Sequence, residues 1–168
     1  MDAQAPTPPS LLKTILVVDD DPSMRLICVK TLRAAGFTVL EAEGSSESLQ
    51  ILATHREPID LLVTDLMLPP PGFQMASSKN PYPRVHGHEV IQRTLAMKKT
   101  FRVILMSSLS EQDRKAYRIG TDHVPFLQKP FSVETMMQLV HAVLAAPPLS
   151  FDDSAIKSST KQDVRWHG

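Results

Sequence analysis

Apolar residues follow two alternating rhythms along this chain. Short continuous runs, several rich in β-branched residues, occupy 14–18 (TILVV), 38–43, 60–66 (DLLVTDL), 102–108 (RVILMSS) and 126–128. Between them, apolar residues recur every three or four positions. One set is Met24, Ile27, Cys28, Thr31 and Leu32, and another is Leu49, Leu52 and Ala53. Val90, Ile91, Leu95 and Met97 form a third, and Met136, Leu139, Val140, Val143 and Leu144 a last one. The first rhythm predicts strands buried on both faces, the second amphipathic helices. Boundary residues agree. Asp21-Pro22 supplies a capping carboxylate and a proline at the first helical position, and Ser132 caps the last helix. Gly36 and Gly120 stop two helices, the latter running over 111–119, and Pro58 and Pro147-Pro148 close two more.

The order is strand then helix, repeated five times. Such alternation implies an α/β fold, a parallel sheet covered by helices on both faces. Five units are too few for an eight-fold barrel, so an open doubly wound sheet is expected. Regularity fails at 69–86, PPPGFQMASSKNPYPRVH, which is proline-rich and without period. Residues 1–13 read as a disordered leader, 14–146 as the folded domain and 147–168 as a polar tail.

Composition narrows the class. Hydrophobic residues make up 42% of the chain, and Lys+Arg and Asp+Glu balance at 18 each. That is globular, without the basic excess of a general nucleic-acid footprint. The single cysteine, Cys28, excludes an intramolecular disulfide and reads as a small core residue. There is no apolar run long enough for a membrane span and no secretory leader, so a cytoplasmic protein without membrane or nucleic-acid partners is expected. No glycine-rich nucleotide motif occurs.

The polar residues at the strand ends carry the chemistry. Open doubly wound sheets bind ligands beyond the carboxyl ends of their strands. Strand one ends in Asp19 and Asp20, strand three in Asp65, strand four in Ser107 and Ser108, and strand five in Lys129-Pro130. Clustered carboxylates demand a cation. Oxygen ligands alone suit Mg²⁺ or Mn²⁺, and a hard cation with open positions is the usual partner of phosphate oxygens. A carboxylate beside it can accept a phosphoryl group.

With those residues in place, the chain resembles the receiver domain of bacterial two-component response regulators. The segments ILVVDDDPSMR, LLVTDLMLP, ILMSS and FLQKPF carry the resemblance, in order, across residues 14–146. It implies a flavodoxin-like sheet of strand order 2-1-3-4-5 and phosphorylation of Asp65. It implies that Asp19 and Asp20 hold Mg²⁺ or Mn²⁺ together with Asp65 and the backbone carbonyl of Met67. It gives Lys129 a catalytic role, Ser108 the switch hydroxyl and Phe126 the aromatic that follows it. A histidine kinase or phosphotransfer protein then donates the phosphoryl group. A downstream protein reads the face of the fourth helix, fifth strand and fifth helix, and the domain is a monomer or a phosphorylation-dependent homodimer.

The chain departs from the family pattern at 70–86, an insertion beside the acceptor, at Leu109, where a small residue is usual, and in the GTDHVPF loop. The insertion offers Lys79 and Arg84 as phosphate contacts, and its His86, with His88 just beyond, as a metal pair or as solvated side chains. Only 147–168 follow the domain, so a stand-alone receiver that is not a turnover enzyme is expected. One alternative is a receiver-like module that takes no phosphoryl group. Another is an aspartyl-nucleophile phosphatase, since Asp19-x-Asp21-x-Ser23 resembles the haloacid-dehalogenase motif. The further acidic motif those enzymes need is matched only by Asp152-Asp153 in the tail.

Overall fold

The computed structural model describes residues 12–68, 87–98, 100–116 and 124–150. In chain order these form β1 (Thr14–Val18), α1 (Pro22–Ala34), β2 (Thr38–Ala42), α2 (Ser45–Thr54), β3 (Leu61–Asp65) and α3 (Gly87–Lys98). They continue with β4 (Thr100–Phe101), β5 (Val103–Ser107), α4 (Glu111–Ala116), β6 (Phe126–Gln128), α5 (Val133–Ala145) and β7 (Leu149–Ser150). Most of the leader, the insertion with Lys79, Arg84 and His86, residues 117–123 before β6 and the tail from 151 lie outside the described residues.

Five strands form one parallel sheet in the order β2-β1-β3-β5-β6. Setting aside β4 and β7, this is the 2-1-3-4-5 order of a flavodoxin-like α/β fold. The three central strands are buried at every position, which is why they read as continuous apolar runs. Successive residues point to opposite faces. Leu16, Val18, Leu62, Val103 and Leu105 pack with Leu52, Val90 and Ile91 of α2 and α3. Ile15, Val17, Val63, Ile104 and Met106 pack with Cys28, Val29 and Leu32 of α1 and Met136, Val140 and Val143 of α5.

The helix ends follow their capping residues. Asp21 accepts from the amides of Ser23 and Met24 at the start of α1, with Pro22 in the first helical position. Gly36, at φ +94°, lets the chain turn back so that the Phe37 amide reaches the Leu32 carbonyl. Ser132 accepts from the Thr135 amide to open α5.

Three positions expected to point inward do not. Ile27 is 49% exposed, Met97 is 48% exposed, and Ala53 is exposed. A helix lying on a sheet buries only a narrow stripe: Cys28, Val29 and Leu32 in α1, and Ser45, Ser48 and Leu52 in α2. Two buried helix hydroxyls turn back onto their own helices, Ser48 to the Ser45 carbonyl and Thr94 to the Val90 carbonyl.

A small antiparallel pair, β4 with β7, was not foreseen. The chain leaves α5, the Arg102 guanidinium donates to the Ala146 carbonyl at 3.0 Å, and Leu149 joins the α2–α3 side of the core. The start of the segment read as a polar tail is therefore part of the fold. Among the described residues no helix is long and apolar enough to cross a membrane.

Candidate functional site

Three consecutive aspartates leave β1, and each does something different. Asp19 prolongs the strand by one backbone bond, to the Ala42 carbonyl, and its side chain is fully buried. Its Oδ1 accepts from the Asp21 amide at 2.9 Å and its Oδ2 from Lys129 Nζ at 2.7 Å. Asp20 faces solvent, and among the described contacts its carboxylate has no hydrogen-bond partner. Asp21 is the α1 cap, its Oδ1 already taken by two amides.

Asp65 is the last residue of β3. Its Oδ1 accepts from the Met67 amide at 3.0 Å and its Oδ2 from Lys129 Nζ at 3.1 Å. Lys129 follows β6, held by its own amide on the Ser107 carbonyl at 2.8 Å, and its peptide to Pro130 is cis. One ammonium thus bridges two buried carboxylates from two other strands. Carboxylate oxygens of Asp19, Asp20 and Asp65 all lie within 4.8 Å of one another.

This charge balance is uneven, and the protonation preferences show it. Burial pushes the Asp65 carboxyl above the usual carboxylate range, the charge of Asp19 adds to that, and the Met67 amide and Lys129 oppose it. Burial also works against the Lys129 ammonium. The hydrogen bond it donates to Asp19 and the charge of Asp65 outweigh it, and the Lys129 pKa rises above that of an ordinary lysine. The two directions agree physically. Two carboxylates share one ammonium, so the lysine stays charged and Asp65 carries the uncompensated negative charge. Beneath them Cys28 is pushed up to about 11 by burial and then by Asp19. It is an inert core thiol.

The donor set fits a divalent cation: three carboxylates of hard oxygen within a few ångströms, an excess of negative charge, and one carboxylate still without a partner. The histidine pair is a weaker candidate. His86 lies outside the described residues, and no described histidine joins the acidic cluster.

The hydroxyls sort differently from expectation. Asp65 pairs with Met106 in the sheet, so the next residue, Ser107, ends β5 beside the acceptor strand. Ser107 is buried, shares a strand face with Leu105, and its Oγ accepts from the Leu109 amide at 3.0 Å. Ser108 is exposed in the loop, and its carbonyl accepts from Gln128 at 3.2 Å. Phe126 and Leu109 are half-buried against the same core layer as Leu105. Leu109 therefore packs into the fold. Ser110 caps α4, accepting from the Asp113 amide and donating to its carboxylate.

Residues 15–77 match the family model described as the response regulator receiver domain. The chain carries a receiver domain. Among curated relatives, the chain is 26% identical over 146 residues to the alkaline phosphatase synthesis transcriptional regulatory protein PhoP of Bacillus subtilis, covering 87% of this chain and 54% of that protein. It is 31% identical over 132 residues to the DNA-binding dual master transcriptional regulator RpaA of Synechocystis, covering 77% and 48%. The chain thus spans about half the length of these relatives. Solved receiver structures share the fold. The receiver domain of the hybrid histidine kinase CckA superposes with a TM-score of 0.58 at 27% identity, covering 78% of this chain and 98% of that one. The response regulator TrrA of Thermotoga maritima, solved in complex with Mg²⁺-BeF, gives 0.61 at 23% identity, covering 79% and 99%.

Proposed function

We propose that this receiver domain is a Mg²⁺- or Mn²⁺-dependent phosphoryl acceptor whose acceptor is Asp65. The observation that carries the reading is the convergence of Asp19, Asp20 and Asp65 with the Lys129 ammonium at one sheet rim. A phosphorylated histidine of a kinase or phosphotransfer protein is the donor. The Asp65 carboxylate attacks phosphorus, the P–N bond to the imidazole breaks, and an aspartyl-phosphate forms. Asp19, Asp20 and the Met67 carbonyl would hold the cation with Asp65, and the cation would supply positive charge against the phosphoryl oxygens. Lys129 then leaves its share of Asp65 for those oxygens. No further turnover is needed, so the domain acts as a switch. TrrA, captured with Mg²⁺ and a beryllium fluoride, offers a precedent on a shared fold. The phosphatase alternative loses support, because Asp21 is committed to its helix cap.

For the switch hydroxyl the strand register favours Ser107 over Ser108. Ser107 lies on the Leu105 face, the layer in which Phe126 packs, whereas Ser108 belongs to the solvent-facing loop. A shift of Ser107 toward the phosphoryl group frees space that Phe126 can follow, a population shift between two packings. The face affected holds a groove of about 820 Å³ lined by Phe126, Gln128, Phe131, Gln138 and Leu139. A downstream protein, or a second copy, reads it. Intact mass after treatment with acetyl phosphate and Mg²⁺ tests the reading: wild type gains one phosphoryl group and Asp65→Asn gains none. Undiminished labelling of Asp65→Asn sinks the assignment. Ser107→Ala is expected to accept phosphate without shifting the amide resonances of β6 and α5, while Ser108→Ala shifts them as wild type does. The reverse result returns the role to Ser108.

A further inference from the structure

One cation in the site neighbourhood has no place in the phosphoryl chemistry. Arg25 sits on the first turns of α1 with its side chain only 14% exposed. Its Nη1 donates to the Asp19 carbonyl at 2.7 Å, and its Nη2 pairs with Glu43 at 3.3 Å. Glu43 is 78% exposed, so solvent screens that ion pair and its worth is small. A fixed positive charge beside three carboxylates repels a divalent cation. Electrostatics alone therefore gives this arginine an adverse role. The hydrogen bond gives it a useful one.

The two acidic ligands of β1 differ in how they are held. Both carboxylate oxygens of Asp19 have partners, and its amide is bonded to the Ala42 carbonyl. The Asp20 carboxylate has no described partner, so its direction depends on the backbone that carries it. That backbone begins with the Asp19–Asp20 peptide, whose carbonyl is the atom Arg25 grips. We propose that Arg25 is a positioning residue for the divalent cation, fixing the Asp19–Asp20 peptide and so aiming Asp20 at Asp19 and Asp65. The guanidinium reaches from α1 to the end of β1 and to the end of β2, where Glu43 holds its other arm. This assignment rests on the reading of Asp19, Asp20 and Asp65 as a cation site.

Titration of the whole chain with MgCl₂, followed by the amide resonances of Asp20 and Met67, tests it. Wild type is expected to shift saturably and Asp20→Asn far more weakly. Absence of that Asp20-dependent response overturns the cation site and, with it, the role of Arg25. Given the response, Arg25→Gln is expected to bind Mg²⁺ about tenfold more weakly, as loss of a ligand-supporting hydrogen bond typically does. Equal or tighter binding means that charge repulsion governs, and overturns the proposal. Arg25→Lys keeps the charge and the buried stem, so it stands in wherever Arg25→Gln does not fold. It is expected to bind roughly threefold more weakly than wild type, because one ammonium replaces a planar fork. Wild-type affinity in Arg25→Lys overturns the proposal as well.

Discussion

The β1–α1 and β2–α2 junctions are neighbours on one rim, both are acidic, and they behave oppositely. At β1–α1 a central strand ends in a buried aspartate whose carboxylate must borrow a lysine from three strands away. At β2–α2 an edge strand ends in Glu43, which is exposed, and the nearby Glu47 carboxylate simply accepts the Glu43 amide. The α1 start has a side-chain cap, whereas α2 starts at Gly44 with none. Charge at the end of an edge strand is solvated and costs little. Charge at the end of a central strand is desolvated and has to be balanced. A carboxylate cluster kept in the second setting is the one to read as a site.

Removing the balancing charge should break this contrast most visibly. Lys129→Met leaves Asp19 and Asp65 buried without a counter-ion and is expected to cost the metal-free fold about 3 kcal/mol, the range for breaking a buried pair. Glu43→Gln, at the edge-strand junction, is expected to stay within about 0.5 kcal/mol of wild type. Urea unfolding of both variants checks the pair; equal losses would erase the distinction between the junctions.

A smaller effect separates the two helix starts. Asp21→Ala removes the α1 cap and is expected to cost about 1 kcal/mol. The α2 start has no side-chain cap to lose, so Glu47→Ala, which leaves the Glu43 amide to water, is expected to cost less than half of that. A larger loss at Glu47 in thermal melts would reverse the ranking.

The smallest effect is a slope. Asp65 has a raised pKa in the folded protein, so the folded state holds its proton more tightly than the unfolded chain does. Its contribution to stability is present below the ordinary carboxylate value and is lost as pH rises through the raised one. Lys129 is also raised, so its contribution persists through neutral pH and disappears only as pH climbs past the lysine range. Between mildly acidic and neutral pH only the Asp65 contribution changes. Melting curves with a chelator present should show wild type losing stability relative to Asp65→Asn as pH rises from about 4 toward 7. A constant difference would show that Asp65 carries no uncompensated charge.

Much of this was legible before any coordinates. The runs at 14–18, 61–65 and 103–107 announce central strands because both of their faces are buried, and the polar residues at their ends, Asp19, Asp65 and Ser107, mark the rim. Asp21-Pro22 and Ser132 announce helix starts through cap chemistry. What stayed hidden has physical causes. β4 and β7 are two residues each, too short to carry a period. Ile27, Ala53 and Met97 fit helical spacing, yet the sheet accepts only a narrow stripe of each helix. In RVILMSS one residue of register decides which serine faces the Phe126 layer, and an apolar run does not fix register. Arg25 was invisible as a partner because it grips a backbone carbonyl, and residue types do not advertise backbone targets.

The central claim is that Asp65 accepts a phosphoryl group with the help of a divalent cation, and one measurement meets it directly. The protein is treated with acetyl phosphate, reduced with borohydride so that an aspartyl-phosphate becomes homoserine, digested and sequenced by mass spectrometry. The account predicts homoserine at position 65 when MgCl₂ is present, and none when a chelator replaces it. Homoserine at another aspartate, or equal conversion at 65 without the cation, would contradict it.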